Sequence, residues 1–261
     1  MDKLYIIKIG GNIIDDDQKL AAFLYAFAKV KGKKILVHGG GKLATRLADK
    51  MGVEQQMIDG RRITDAETLK IVTMVYAGYI NKHVVAQLQS HNCDAIGLSG
   101  ADGNAILSHK RVHPSIDYGF VGDVDAVNVN LIGSLLEQGQ APVFAPITHD
   151  GKGLLLNTNA DTIAQELATG LAFKYEVSLV FSFERAGVLL DANDDSTVIP
   201  SINPNYYNQL KQEQRIFAGM LPKLDNAFAA IKKGVTRVII GKAEELSQLI
   251  DGSSGTSIVH E

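Results

Sequence analysis

Along the chain, short apolar runs rich in β-branched residues alternate with longer stretches whose apolar residues recur every three or four positions. The first run, Tyr5-Ile6-Ile7-Lys8-Ile9, closes on Gly10-Gly11. An unbroken apolar run of this length reads as a central parallel strand, covered on both faces. Leu20, Phe23, Leu24 and Phe27 follow at helical spacing, and 34–38 is a second strand ending in Gly39-Gly40-Gly41. The pattern then predicts a helix at 42–50 and a long apolar helix over 65–91, with Thr64 as its N-cap and Glu67 completing a capping box. A helix so long and apolar is either buried or part of a subunit interface. A strand at 94–98 precedes a more alternating stretch, 105–124, that holds Pro114 and several glycines and reads as hairpins at a sheet edge. A helix at 129–138, a strand at 141–145 and a helix from Asn159 to about 170 complete the first portion. The second portion is shorter, with strands at 176–181, 237–240 and 256–259 and helices at 206–212, from 219 onward, and at 244–250. This order predicts an α/β fold, an open αβα sandwich with a mainly parallel central sheet and right-handed crossovers. Residues 1–261 read as a single domain with two lobes on one sheet, 1–170 and 171–261.

Composition narrows the class. Of 261 residues, 46% are hydrophobic and 21% charged, as in a globular protein with a sizeable core. A net charge of −3 gives no basic field for nucleic acid or an anionic membrane, so neither is expected as a partner. Cys93 is the one cysteine, which leaves no internal disulfide and suits a reducing compartment. The N-terminus lacks the apolar core of a signal peptide, and no run approaches membrane-spanning length; the expectation is a cytoplasmic protein.

Several motifs fail on inspection. His38-Gly39-Gly40-Gly41 resembles an esterase oxyanion loop, but no nucleophile elbow accompanies it: Gly97-Leu98-Ser99-Gly100 runs into Ala101. Gly41-Lys42 is followed by Leu43 where a P-loop needs Ser or Thr. No G-x-G-x-x-G follows a strand, and the seven histidines show no metal-ligand spacing. What survives is two glycine turns after parallel strands, with Lys8, Lys223 and Asp161. In an open α/β sheet the ligand crevice lies outside the carboxyl ends of the strands. A lysine there, beside backbone N–H groups that glycine leaves accessible, suits an anion such as phosphate, or else Lys8 snorkels at a strand end. Lys223 lies near a helix start, where the dipole also favours anions. Phosphoryl transfer relies on positioning and charge stabilisation, which two flanking lysines supply. Asp161 either holds both lysines or caps a helix. Arg62 either pairs with a substrate carboxylate or lies exposed at the surface, and Asn157 either bonds a ligand or turns the chain.

Six segments in order carry a resemblance over nearly the whole chain: Ile7-Lys8-Ile9-Gly10-Gly11, Val37-His38-Gly39-Gly40-Gly41, Gly60-Arg61-Arg62-Ile63-Thr64, Gly119-Phe120-Val121-Gly122-Asp123-Val124, Asn157-Thr158-Asn159-Ala160-Asp161 and Gly219-Met220-Leu221-Pro222-Lys223. Together they resemble the amino acid kinase family, most closely the branch that acts on N-acetylglutamate. The resemblance implies phosphorylation of the side-chain carboxylate of an N-acyl-L-glutamate by ATP, the second step of arginine biosynthesis, with acetyl as the expected acyl group and succinyl the alternative. It implies catalytic roles for Lys8, Lys223 and Asp161, and acyl-glutamate binding by Gly40, Gly41, Arg62 and Asn157 in the lobe 1–170. Gly10, Gly11, Glu184, Gly187, Phe217 and Gly219 would contact phosphate or nucleotide, the ATP lobe being 171–261. Mg²⁺ would ride mainly on the nucleotide phosphates, with no protein metal cluster. The 65–91 helix would form a homodimer interface, and the chain starts at the catalytic strand, without the N-terminal helix of arginine-inhibited hexameric relatives; a dimer without arginine feedback is expected.

Two positions depart from the family pattern. Phe183 stands where a hydroxyl residue is usual, with Glu184 keeping the acidic character of the next position, and Ala218 replaces a common glycine. Aspartate and glutamate 5-kinases normally carry extensions for which 261 residues leave no room. Carbamate and uridylate kinases do not pair the Arg62 and Asn157 segments in this way. A non-catalytic ligand-binding module on the same fold is the rival from another class; joint retention of Lys8, Asp161 and Lys223 argues against it.

Overall fold

The computed structural model describes residues 1–58, 61–191, 194–213, 215–216 and 220–260. The chain opens with β1 (Lys3–Ile9), α1 (Gly11–Ile14), α2 (Asp17–Lys29), β2 (Lys33–His38) and α3 (Gly41–Lys50). A short hairpin, β3 (Met57–Ile58) and β4 (Arg61–Arg62), leads to α4 (Ala66–Thr73), a π-helical segment (Met74–Ile80) and α5 (Asn81–Ser90). Next come β5 (Ala95–Leu98), β6 (Ile106–Lys110), β7 (Val121–Val127), α6 (Val129–Glu137), β8 (Ala141–Phe144), β9 (Ile147–His149), β10 (Leu155–Thr158) and α7 (Ala160–Leu171). The last part holds β11 (Glu176–Phe183), β12 (Ser201–Ile202), α8 (Pro204–Gln212), α9 (Leu221–Lys232), β13 (Arg237–Lys242), α10 (Leu246–Asp251) and β14 (Thr256–Ile258).

Eight strands form one sheet in the order β12-β14-β13-β11-β1-β2-β8-β5. β1 is central and pairs in parallel with β2 and β11, while β14 runs antiparallel to β13 near one edge. Alternation along β1 divides two cores. Leu4 and Ile6 pack with Ile163 and Leu167 of α7, whereas Ile7 and Ile9 pack with Phe23 and Phe27 of α2 and with Ala44 of α3. Both faces are therefore covered, which is why β1 shows no polar alternation. Asp16 accepts hydrogen bonds from the Gln18 and Lys19 amides to start α2. The helix then buries Leu20, Phe23, Leu24 and Phe27 as one stripe, each side chain contributing about 1.5–3 kcal/mol.

Three expectations need correction. The stretch 105–124 is not a sheet-edge hairpin. β6 and β7 pair antiparallel but close with β9 and β10 into a separate four-stranded barrel. β9 and β10, at three and four residues, are too short to show alternation, so the closure of β6 and β7 into a barrel left no local pattern. Thr64 is not the N-cap of α4. It is buried and pairs with Gly119, and Asp65 caps the helix by accepting from the Thr68 amide. Finally, the 65–91 helix contains seven π-helical residues, Met74–Ile80, which widen the helix and rotate its buried face.

Candidate active site

Parity on β1 decides where Lys8 points. It shares a face with Leu4 and Ile6, and so meets α7 beyond the end of the core. Asn159 caps that helix by accepting from the Asp161 and Thr162 amides, which leaves the Asp161 carboxylate free of the capping task. Lys8 Nζ lies 2.8 Å from Asp161 Oδ1, and the ammonium approaches off the line of an aligned hydrogen bond, so the contact is mainly Coulombic. Lys223, in the first turn of α9, has its Nζ 3.9 Å from the centroid of the Phe183 ring; Lys8 Nζ is 5.6 Å from the same ring. Burial pushes the Lys223 ammonium below its ordinary range, Asp161 pulls it back up, and Lys8 adds a further downward push.

Two clefts flank this cluster at the carboxyl end of the sheet. The smaller, about 210 Å³, is lined by Gly40, Gly41, Arg62, Tyr76, Arg111 and Asn157, among others. The larger, about 490 Å³, is lined by Gly10, Gly11, Glu184, Gly187, Lys42 and Lys223, among others. Gly41 borders both. A third recess joins them: it shares Arg61 and Asn159 with the smaller cleft and Phe183 and Lys223 with the larger, and Asp161 lies in its wall. α3 begins at Gly41 without a side-chain cap, so the N–H groups of its first turn stay open to an anion.

The glycine turn at the head of α3 is held from behind. Gly40 has φ +149, and a Cβ there would fall 2.3 Å from Ile80 Cδ1, so a side chain would strain the backbone and force Ile80 to move. The His38 Nδ1–H donates to the Gly39 carbonyl at 2.8 Å, because a carbonyl can only accept. Nε2 therefore accepts from Asn81 Nδ2 at 3.2 Å, and Asn81 also donates to the Val143 carbonyl. His38 is fully buried, and desolvation pushes its pKa down to about 4, which keeps it neutral and able to accept.

The structure brings together most of the residues singled out in the sequence. Lys8, Asp161 and Lys223 cluster; Gly40, Gly41, Arg62 and Asn157 line the smaller cleft; Gly10, Gly11, Glu184 and Gly187 line the larger. Phe217, Ala218, Gly219 and Gly60 lie outside the described residues. Arg62 is not an exposed surface arginine. It is buried, donating to the Gly41 carbonyl at 3.0 Å, to Thr45 Oγ1 at 2.9 Å and to Gln55. Asn157 does not turn the chain; it sits in β10 and donates to Thr64 Oγ1 at 3.0 Å. Sequence reasoning missed Arg111 and Tyr76. Arg111 forms a two-pronged pair with Asp123 and enters the smaller cleft from the barrel strands, 49 positions from Arg62. Tyr76 is buried behind the cleft, where burial pushes its phenol up. Neither carries a local signal, since both act through contacts far apart in sequence.

Comparison with known proteins bears on the same site. A model of the amino acid kinase family matches residues 3–242. The chain is 58% identical over 262 residues to an acetylglutamate kinase of Cytophaga hutchinsonii, covering 99% of each chain. It is 52% identical over 257 residues to an acetylglutamate kinase of Phocaeicola vulgatus, covering 98% of each. The crystal structure of smu.665 from Streptococcus mutans UA159 superimposes with a TM-score of 0.78 at 25% identity, again over 99% of each chain. With the family model matching residues 3–242, and relatives above half identity over 98–99% of the chain, the chain belongs to the amino acid kinase family.

Proposed function

We propose that the protein phosphorylates the side-chain carboxylate of N-acetyl-L-glutamate with ATP, giving an acyl phosphate and ADP in arginine biosynthesis, with N-succinyl-L-glutamate as the alternative acceptor. The observation that carries this reading is the Lys8–Asp161–Lys223 cluster between a smaller, arginine-lined cleft and a larger one, flanked by two helix N-termini. The relatives at 58% and 52% identity bear the name acetylglutamate kinase, which supports the same activity.

The lobe 1–170 binds the acyl-glutamate in the smaller cleft, and residues 171–261 contribute most of the nucleotide cleft. Arg62, held rigid by three partners, takes the α-carboxylate, and Asn157 with the Gly40 and Gly41 backbone orients the acyl-amino acid. The γ-carboxylate is already ionised near neutral pH and attacks the terminal phosphorus in line without a general base. Lys8 and Lys223 meet the charge spread over the transferring group, and Asp161 keeps the two ammoniums from repelling apart. Gly10 and Gly11 offer backbone N–H groups to the phosphates, and Glu184 and Gly187 border the nucleotide. Mg²⁺ fits as an ion carried by the nucleotide. Among the described residues no three carboxylate, histidine or cysteine side chains converge, and Glu184 is the carboxylate bordering the larger cleft. Bound there with the nucleotide, Mg²⁺ would neutralise phosphate charge.

A homodimer through the 65–91 helix accords with the exposure of Met74 and Tyr79 on its π-helical turn. No helix among the described residues is long and apolar enough to cross a membrane.

Turnover of ATP with N-acetyl-L-glutamate and N-succinyl-L-glutamate in parallel, with the acyl phosphate trapped by hydroxylamine, tests the reading. Hydroxamate from either acyl-glutamate, with none from free glutamate or aspartate, is the expected result. ATP binding with no hydroxamate from any acceptor would instead favour a non-catalytic nucleotide-binding module.

A further inference from the structure

Phe183 lies in the wall of both recesses that Lys223 borders, and its placement is not that of a passive wall. Phe181 and Phe183 alternate along β11 and so share a face of the sheet, the face on which Lys8 also lies through its pairing with Phe181. Their rings stack 6.2 Å apart with 13° between planes. The Phe183 ring then offers its face to Lys223 at 3.9 Å and to Lys8 at 5.6 Å. Among the described residues, Lys223 Nζ has no hydrogen-bond or ion-pair partner within contact distance, and Asp161 is engaged at close range by Lys8. One carboxylate thus serves two ammoniums, and the ring supplies the second attractive surface.

We propose that Phe183 is a positioning residue for Lys223, holding the ammonium on its ring face at the junction of the two clefts. This deepens the phosphotransfer reading and rests on it. The chemistry explains why an aromatic ring occupies this place. A carboxylate would hold Lys223 as well, but it would occupy the N–H donors and repel an incoming triphosphate. A π face attracts the cation through its quadrupole and leaves the N–H groups open for phosphate oxygens. A hydroxyl residue at this position would offer a single short-range acceptor and no such surface. Partial desolvation of Lys223 lowers its affinity for protons, while the ring face favours the charged form. The net effect on titration is therefore sensitive to the π face itself. The charged groups bordering the two recesses that Lys223 shares are Asp161, Arg61, Glu184, Arg185 and Lys42, with Lys8 behind Asp161.

The test compares Phe183→Leu, which keeps apolar bulk but removes the π face, with Phe183→Tyr, which keeps the face. Phe183→Leu is expected to lower kcat about tenfold at near-normal KM for the acyl acceptor and to move the alkaline limb of kcat down by roughly half to one pH unit. Phe183→Tyr restores both. Unchanged kcat and pH limb in Phe183→Leu, or equal losses in the two variants, would overturn the proposal. An independent measurement uses the wild-type protein with ¹³C-lysine labelling, the Lys223 signal being assigned through Lys223→Arg. The ε-methylene protons should be shifted upfield by the ring current, and random-coil shifts would refute the contact even if a variant failed to fold. An upfield shift in a protein that yields no hydroxamate with any acyl-glutamate would uphold the contact and refute the phosphotransfer reading, so the two failures are distinguishable.

Discussion

Lys8 combines three facts that individually mean little: near-complete burial, a 2.8 Å contact with one carboxylate, and a place one residue before a glycine turn. A buried ammonium with one shared counter-charge is costly unless an anion completes its neutralisation. Lys8→Ala is expected to reduce turnover by roughly 10²–10³ with secondary structure intact, the loss typical of one electrostatic stabiliser. Near-wild-type turnover would mean that Lys8 only anchors Asp161. The residue types and order of this cluster were readable in the sequence. The choice between ligand and surface for Arg62 was not, because its burial depends on Gly41, Thr45 and Gln55 closing around it. Phe183 was visible as an unusual residue, and its meaning came from a ring-to-ammonium distance.

At the scale of elements, the start of α4 shows how near neighbours in sequence can exchange roles. Thr64 and Asp65 are both good N-caps by type. Thr64 is drawn away into the bridge to Gly119 and into a hydrogen bond from Asn157, which ties β4, β7 and β10 together below the smaller cleft. Capping falls to Asp65, whose carboxyl is held below its usual range chiefly by the Thr68 amide. Asp65→Ala should lower stability by about 1 kcal/mol in urea denaturation, whereas Glu67→Ala should change it by less than about 0.5 kcal/mol. The reverse order would restore a capping box anchored at Thr64. The π-helical turn that follows has a local consequence too. It brings Tyr76, Ile80 and Asn81 against the Gly39–Gly41 turn, two as packing walls for Gly40 and one as a donor to His38. Helical periodicity revealed the apolar stretch but not the extra residue in its winding, since the gain comes from contacts with another strand.

For the molecule as a whole, His38 couples stability to pH. Its pKa is about 4 when folded against an ordinary 6.5, so between those values the unfolded chain binds the proton and the folded chain does not. Stability is full above pH 6.5, falls as the pH drops, and levels off below 4. The loss from this one group is about 2 kcal/mol at pH 5 and about 3 kcal/mol in total. Urea denaturation at pH 7.5 and pH 5 should show that loss in the wild type and about 2 kcal/mol less of it in His38→Gln; an identical pH dependence in the two would remove His38 as the cause. Assembly is the second molecular expectation. Light scattering should give a dimer, and Tyr79→Glu, which puts a charge on the exposed π-helical turn, should yield monomer. A wild-type monomer, or a dimer indifferent to Tyr79→Glu, would move the interface elsewhere.

By itself the sequence determined the layered α/β architecture, because continuous apolar strands and amphipathic helices in alternation have few other ways to bury their faces. It also determined the chemistry on offer: glycine turns at strand ends, two lysines, one aspartate and an arginine in a recognisable order. Tertiary structure alone decided the closure of the four-stranded barrel, two of whose strands are only three and four residues long, and the π-helical winding that backs the glycine turn. It likewise decided the entry of Arg111 into the smaller cleft and the ring that faces Lys223. The physical reason is common to all of these. Periodicity and residue type report what each segment must bury, whereas a site depends on which buried surfaces meet, and that is set by packing between residues remote in the chain.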